Sequence, residues 1–219
     1  MVFQKVLKGI SGLDNIVAKN LVDNGIMSNW WRKAGTISPS EIKLHLTQDN
    51  LNLHLNHYHD PVPAANPLHA VHNGKFGEVS PFISTSAGAV ERDFATKTNL
   101  IFPPFITALN FATRNGRADG YIIYAYLLTV GKIAVEMEQF SEEMRNLYVY
   151  RDYQPYYRQG EVMAKVLIPS VQIQKVEGYR GAEAKASLRA GNLPAPHFTY
   201  INPTYMAPEK LSNIQEVVQ

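Results

Sequence analysis

The sequence predicts an α+β fold in one domain, and three features carry that prediction. Segments with helical spacing dominate the chain before residue 49, strand-like runs dominate from residue 49 to about 180, and a helical pattern from Pro104 and a short one starting at Ser141-Glu142-Glu143-Met144 interrupt them. With 219 residues, 45% hydrophobic and 18% charged, the chain is long enough to bury a core and too weakly charged to be a disordered polyelectrolyte. The expected organisation is one domain over residues 1–219, with an N-terminal helical segment at 1–48, a β-rich core at 49–180 and a tail at 181–219 packed on that core.

Composition excludes several chemistries. Cysteine is absent, so disulfides, thiolate metal sites and thiol nucleophiles are ruled out, and any catalysis must use oxygen or nitrogen side chains. A net charge of +2 gives no argument for nucleic acid, which needs clustered cations. No apolar run of about 18 residues exists and the N-terminus lacks a secretory h-region. The expectation is a product made in the cytoplasm with no membrane span; a role in a target cell would require delivery without a standard signal peptide.

Taken in order, Leu13, Ile16, Val17 and Leu21 follow a possible N-cap at Ser11 and end at Asn24-Gly25, which predicts a helix. A shorter helix is expected at Asn29–Lys33, with Trp30-Trp31 packing it onto the body. Ser38-Pro39-Ser40-Glu41 leads, as a helical turn or loop, to a run at 51–59 in which Leu51, Leu53 and Leu55 alternate with Asn52, His54, Asn56 and Tyr58. That alternation predicts a strand stopped by Asp60-Pro61. The proline- and glycine-punctuated stretch from Pro61 to Gly77 is expected to form a surface lip. Phe82-Ile83-Ser84 predicts a short buried strand ending in Thr85-Ser86, Pro104 starts a helix running to Asn115-Gly116, and Gly120–Leu128 predicts a central strand. Glu161–Ile168 reads as one strand, and a further one follows Pro169.

Two clusters stand out. Six of the seven histidines lie between His45 and His72, which raises a metal site. On a strand, however, His57 and His59 share a face that His54 does not, and no carboxylate or cysteine completes a familiar zinc pattern, so no metal is assigned. The second cluster, Tyr148–Arg158, holds five of the twelve tyrosines together with Arg151 and Arg158. Those residue types recognise partners by stacking and hydrogen bonding, and Tyr153, Tyr156, Tyr157, Arg158 and Arg151 are the candidates for substrate recognition.

Tyr58-His59, Phe82-Ile83-Ser84-Thr85-Ser86, the A-x-x-F-A pattern of Ala108, Phe111 and Ala112, and Gln159-x-Glu161 occur in an order that resembles the ADP-ribosyltransferase superfamily. The resemblance is to its toxin-type branch with S-T-S and (Gln/Glu)-x-Glu motifs, and it spans about Leu51 to Gly178. It implies a split β-sandwich and a glycosyltransferase that moves ADP-ribose from NAD, the co-substrate, to a macromolecular acceptor, protein or nucleic acid, as a toxin or effector does. By that resemblance Glu161 is the catalytic carboxylate, Gln159 binds the acceptor, and Ser84 orders the glutamate and joins the NAD pocket with Thr85 and Ser86. The tyrosine-rich stretch falls where the family keeps its target-recognition turn.

One position departs from the pattern. The S-T-S branch ends its first strand with arginine, whereas the place matched here carries Tyr58-His59, as in the diphtheria-toxin-like branch, so Tyr58 and His59 are expected to bind NAD. A shifted alignment would put His57 there. The alternative reading is a catalytically inactive module of the same fold that binds a protein or nucleic acid through Tyr148–Tyr157.

Overall fold

The computed structural model describes residues 2–35, 39–87, 89–92, 99–129 and 161–210. Strand β1 (Val2–Ser11) begins the described chain, followed by α1 (Asn15–Asn24), β2 (Ile26–Met27), α2 (Asn29–Ala34), α3 (Pro39–His45) and α4 (Gln48–Asn56). After two short 3₁₀ turns come β3 (Phe82–Ser86), β4 (Ala89–Arg92), β5 (Asn99–Phe102), α5 (Pro104–Thr113) and β6 (Gly120–Thr129). Strands β7 (Glu161–Lys165), β8 (Leu167–Ile168) and β9 (Ile173–Tyr179), helix α6 (Gly181–Arg189) and β10 (Phe198–Ile201) complete it.

Six strands form one antiparallel sheet in the order β10-β9-β6-β1-β3-β7, and two-stranded ladders join β2 to β8 and β4 to β5. The architecture is therefore α+β with a mostly antiparallel sheet, and Gly120–Thr129 is an interior strand of it as expected. The N-terminal segment, by contrast, is not helical throughout. Residues 2–11 are the strand between β6 and β3, paired with β6 along their whole length from Val2↔Thr129 to Ser11↔Gly120. Both faces of the sheet are covered, so β1 shows no clean alternation of apolar and polar residues.

On one face, Ala18 and Val22 of α1 pack with Ile83, Tyr121, Ile123, Ala164 and Val176. On the other, Ala108, Leu109 and Ala112 of α5 pack with Ile122, Tyr179 and Ala184. Helix α5 reaches the sheet because β1 presents Gly9, where a Cβ would stand 2.0 Å from the Ala108 carbonyl oxygen. That close approach brings Thr107, Ala108 and Phe111 to the end of the sheet where β1 parts from β3.

The run expected as a strand at 51–59 is helix α4. Thr47 caps it by accepting from the Asn50 N–H, Asp49 sits in its first turn, and Asn50, Leu51, His54 and Leu55 form its buried face. The spacing of Leu51, Leu53 and Leu55 mimics a strand, but leucine favours helix and the run holds no β-branched residue. Leu51 and Leu55 pack on Phe82 and Met163, which seats α4 over the β3–β7 pair.

The stretch from Pro61 to Gly77 is not merely a surface lip. Val62, Leu68 and Phe76 are buried and make a core with Trp30, Val79 and Val166. Trp30 packs α2 onto the body as the sequence suggested, and its ring also meets His45 at 4.7 Å.

Expected as one strand, Glu161–Ile168 divides at Val166. This residue has φ 62°, a conformation that costs a β-branched side chain ~1–3 kcal/mol. The turn is held because the Val166 N–H donates to the Pro81 carbonyl at 2.8 Å and its own carbonyl accepts from the Ser28 N–H at 2.7 Å. The chain thereby leaves β3 and joins β2, and Glu161–Lys165 is left aligned on the S-T-S strand. Beyond α6, β10 adds to β9, and the Tyr126 hydroxyl donates to the Met206 carbonyl at 2.8 Å. No helix among the described residues is long and apolar enough to cross a membrane.

Candidate active site

A cleft of about 290 Å³ opens where β1, β3 and β7 meet α4 and α5. Six of the residues singled out in the sequence line it: Tyr58, His59, Ser84, Thr85, Ser86 and Glu161. Register explains part of this convergence. Ser86 stands opposite Glu161 on β7 and opposite Leu7 on β1, so the S-T-S strand couples the carboxylate to the centre of the sheet. Ser84 and Ser86 share a face of β3, and Thr85 turns away to donate to the Val162 carbonyl, which clamps β3 to β7.

Glu161 opens β7 with only 12% of its side chain exposed. Burial pushes its carboxyl above the ordinary carboxylate range, while a hydrogen bond from Ser84 and the nearby Lys8 ammonium oppose that rise. Lys8, which the sequence did not single out, and His54, raised there only within the histidine cluster weighed for a metal, complete the setting. Lys8, on β1, donates from Nζ to the Ser84 carbonyl at 3.1 Å, and burial lowers its pKa from 10.5 to about 8, against the attraction of Glu161. The second is His54, on the buried face of α4, whose Nδ1 lies 2.6 Å from Ser80 Oγ and whose Nε2 lies 2.7 Å from Ser84 Oγ.

The hydrogens of this chain can be placed by donor accounting. Ser84 spends its one hydroxyl hydrogen on the Glu161 carboxylate, so toward His54 Nε2 it can only accept; Nδ1 of the neutral ring is then left to accept from Ser80 Oγ, which itself accepts from the Phe82 N–H at 3.1 Å. The histidine then carries its proton on Nε2 and donates it to Ser84 Oγ, and Ser84 donates in turn to the Glu161 carboxylate. Burial, reinforced by Lys8, lowers the His54 pKa to about 3, so the ring is neutral at physiological pH. Its Nε2 is 4.0 Å from Glu161 Oε1, but a neutral imidazole makes no ion pair there. His54 therefore acts as an uncharged spacer that sets which way the Ser84 hydroxyl points.

Tyr58 and His59 are not at a strand end, as the sequence reading had them. They follow α4 in a turn closed by Asp60 N–H to the His57 carbonyl at 3.0 Å, because the preceding residues are helical. The half-buried Tyr58 ring stands edge-on to His54 with centroids 5.3 Å apart and lies flat against Gly77, where a Cβ would come within 2.2 Å of it. His59 is exposed at the cleft wall. His57 takes no part, since its Nδ1 pairs with Asp60 at 2.8 Å on the surface. Among the described residues, no group of three His, Asp or Glu side chains is arranged to hold a metal ion. Gln159, Arg151, Tyr153, Tyr156, Tyr157 and Arg158 lie outside the described residues.

Each of these two residues left a trace of its role in the sequence. Lys8 interrupts an apolar run, Val6-Leu7-Lys8-Gly9-Ile10, and His54 falls three residues after Leu51 and one before Leu55, at helical spacing. Chemically the cleft offers one buried carboxylate, a serine hydroxyl aimed at it, a neutral histidine behind that serine and a lysine beside it. No protein-family model matches the chain, and no curated protein matches it. The chain is similar to a solved structure named EcPltA at 12% sequence identity and a TM-score of 0.45, over 93% of this chain and 88% of that one.

Proposed function

We propose that this protein is a mono-ADP-ribosyltransferase of the split β-sandwich type, using NAD as co-substrate and a protein or nucleic acid as acceptor. The observation that carries the reading is the placement of Glu161: a nearly buried carboxylate at the floor of an open cleft, fixed by Ser84 and faced by Lys8. NAD supplies the glycosidic bond that is broken, nicotinamide leaving with the bonding electrons and an acceptor nucleophile taking its place on the ribose with loss of a proton. Positive charge develops on the sugar as that bond breaks, as in glycoside hydrolysis.

The chain's own groups fit that demand. An oriented carboxylate in a site of low dielectric stabilises a developing cation and aligns or deprotonates the acceptor. The Ser84 hydroxyl and the Lys8 ammonium favour the ionised form of Glu161 in opposition to its burial, and His54 holds Ser84 in the donating orientation. Tyr58 and Phe111 supply aromatic surface at the cleft wall for a planar ring. The test is incubation of the purified protein with labelled NAD and a cell lysate, alongside a measurement of nicotinamide release. Glu161→Gln should retain the fold and lower both by about 10²–10³-fold, and equal labelling by the variant removes Glu161 from the chemistry. Sensitivity of the labelled product to nuclease or to protease identifies the acceptor class.

A further inference from the structure

Helix α6 packs beside α5, and the seam between them opens into a cavity of about 320 Å³ that shares no lining residue with the Glu161 cleft. Its floor is aliphatic, made by Leu109, Ala184 and Leu188 where the two helices meet. Its rim is cationic: Lys185 and Arg189, one turn apart on α6, line it and are exposed. The loop after α5 is shaped to this seam. Gly116 has φ 82°, and its missing side chain leaves room for the Lys185 stem, whose Cβ and Cδ would stand 2.7 Å from a Cβ there. Thr113 Oγ1 fixes the same turn by accepting from the Gly116 N–H at 3.1 Å and donating to the Leu109 carbonyl at 2.7 Å.

Residues 104–119 and 180–191 hold five cations, Arg114, Arg117, Arg180, Lys185 and Arg189, against two carboxylates. Both carboxylates are engaged: Asp119 Oδ1 accepts from the Gly181 N–H at 3.0 Å, and Glu183 pairs with Arg180 at 3.2 Å. Among the described residues no acidic side chain meets Arg117, Lys185 or Arg189. The net charge of +2 for the chain conceals this concentration, which draws anionic partners to one face.

The lining narrows the kind of partner. Its rim calls for carboxylates or phosphates, its floor accepts an aliphatic side chain, and none of its residues is aromatic, so nothing there stacks a base. An acidic protein segment with an aliphatic anchor satisfies all of these, whereas a nucleic-acid backbone satisfies only the first. Helix α5 also gives Thr107, Ala108 and Phe111 to the Glu161 cleft, so a partner seated in the seam lies about 10 Å, one helix diameter, from that cleft. We propose that the α5–α6 seam docks an acidic segment of a protein partner, an aliphatic side chain entering between Leu109 and Leu188 and flanking carboxylates pairing with Lys185 and Arg189. The proposal is independent of the transferase reading, because it concerns binding without NAD.

The experiment is fluorescence polarisation of a labelled peptide of about 12 residues repeating Glu-Glu-Leu, long enough to lie along the seam as a helix, with the wild type, Lys185→Glu/Arg189→Glu and Asn110→Trp. The comparison probes are the same peptide with Ala in place of Leu, and single-stranded oligothymidine of equal charge. Charge reversal at two exposed positions should weaken the Glu-Glu-Leu peptide about tenfold or more. Asn110→Trp fills the cavity from an exposed position with the cations intact, and it should weaken the peptide by a similar factor. The Ala peptide should bind the wild type about fivefold more weakly or worse. A wild type that binds no peptide, or variants that bind it as the wild type does, overturn the docking surface. Loss on charge reversal alone, with Asn110→Trp and the Ala peptide binding undiminished, is non-specific attraction and overturns it as well. Oligothymidine binding more tightly than the peptide, with the same loss on charge reversal, overturns the proposal and gives the surface to nucleic acid.

Discussion

Replacing Lys8 with methionine is expected to stabilise the protein at neutral pH while removing most of its activity. The side chains are similar in length and differ in charge, so the substitution isolates the cost of holding an ammonium group at the cleft floor. Burial lowers the Lys8 pKa from 10.5 to about 8, a value that already includes the attraction of Glu161 and the repulsion of Arg32. That fall of about 2.5 corresponds to at most ~3.4 kcal/mol against the charged form, which water in the cleft reduces to roughly 1–2 kcal/mol. The sign follows from proton binding. Between about pH 8 and 10.5 the unfolded chain keeps the Lys8 proton that the folded one has lost, so wild-type stability from this group rises with pH across that window. Below pH 8 the folded protein bears the full cost, and methionine bears none.

Urea denaturation should therefore show Lys8→Met more stable than wild type by ~1–2 kcal/mol at pH 7, with the difference closing toward pH 10.5. Nicotinamide release at pH 7 should fall by roughly 10–100-fold, because the buried Glu161 carboxyl loses the nearby cation that opposes the upward push of burial on its pKa. In the wild type the same group should set the alkaline limb of the rate profile near pH 8, and Lys8→Arg should move that limb out of range. A variant that is less stable at pH 7, or whose stability difference from wild type stays constant between pH 7 and 10.5, refutes the reasoning.

His54→Leu preserves bulk on the buried face of α4 but leaves the Ser80 and Ser84 hydroxyls without their histidine partner, at a cost of about 1–3 kcal/mol. Its rate should drop through kcat with little change in KM, and the wild-type His54 imidazole, identified as the resonance missing from the variant, should show no NMR titration between pH 5 and 8, since its pKa is lowered to about 3; titration of that resonance within this range would refute the neutral-spacer role. Gly9→Ala places a methyl group 2.0 Å from the Ala108 carbonyl oxygen. It should lift α5 from the sheet, lower stability by ~3 kcal/mol in thermal melts and widen the cleft; a variant as stable as wild type means that α5 does not rest on Gly9.

What the sequence made legible and what it hid divide along physical lines. Strand β6, helix α5 and strand β3 were readable because each pairs a strong local propensity with clear end signals, as Pro104 does for α5 and Gly120 for β6. The S-T-S strand and Glu161 were linked by the family resemblance and not by any local signal; the register makes Ser86 and Glu161 cross-strand neighbours. Strand β1 was missed because both its faces are covered, which erases alternation, and because Lys8 reads as a surface residue. Helix α4 was misread because Leu51, Leu53 and Leu55 satisfy a period of two, while the helical face that is buried carries Asn50 and His54, polar residues that a hydrophobic count discards.

The two errors share a cause, and it bears on function. Lys8 and His54 each break the apolar pattern of the element that carries them, and each does so at the point where that element meets Ser84. A lysine in an interior strand and a histidine in a buried helix face are destabilising in isolation, and their local environments show it: burial drives both toward their neutral forms. Each retains a hydrogen bond to Ser84, one to its carbonyl and one to its hydroxyl, and both sit beside a carboxylate that burial also disfavours. Three ionisable groups that each resist burial are held within reach of one serine on an otherwise well-packed sheet. Packing alone gives no reason to collect them there, whereas the proposed reaction gives one: it needs an oriented carboxylate, and Ser84, held by Lys8 and His54, orients it.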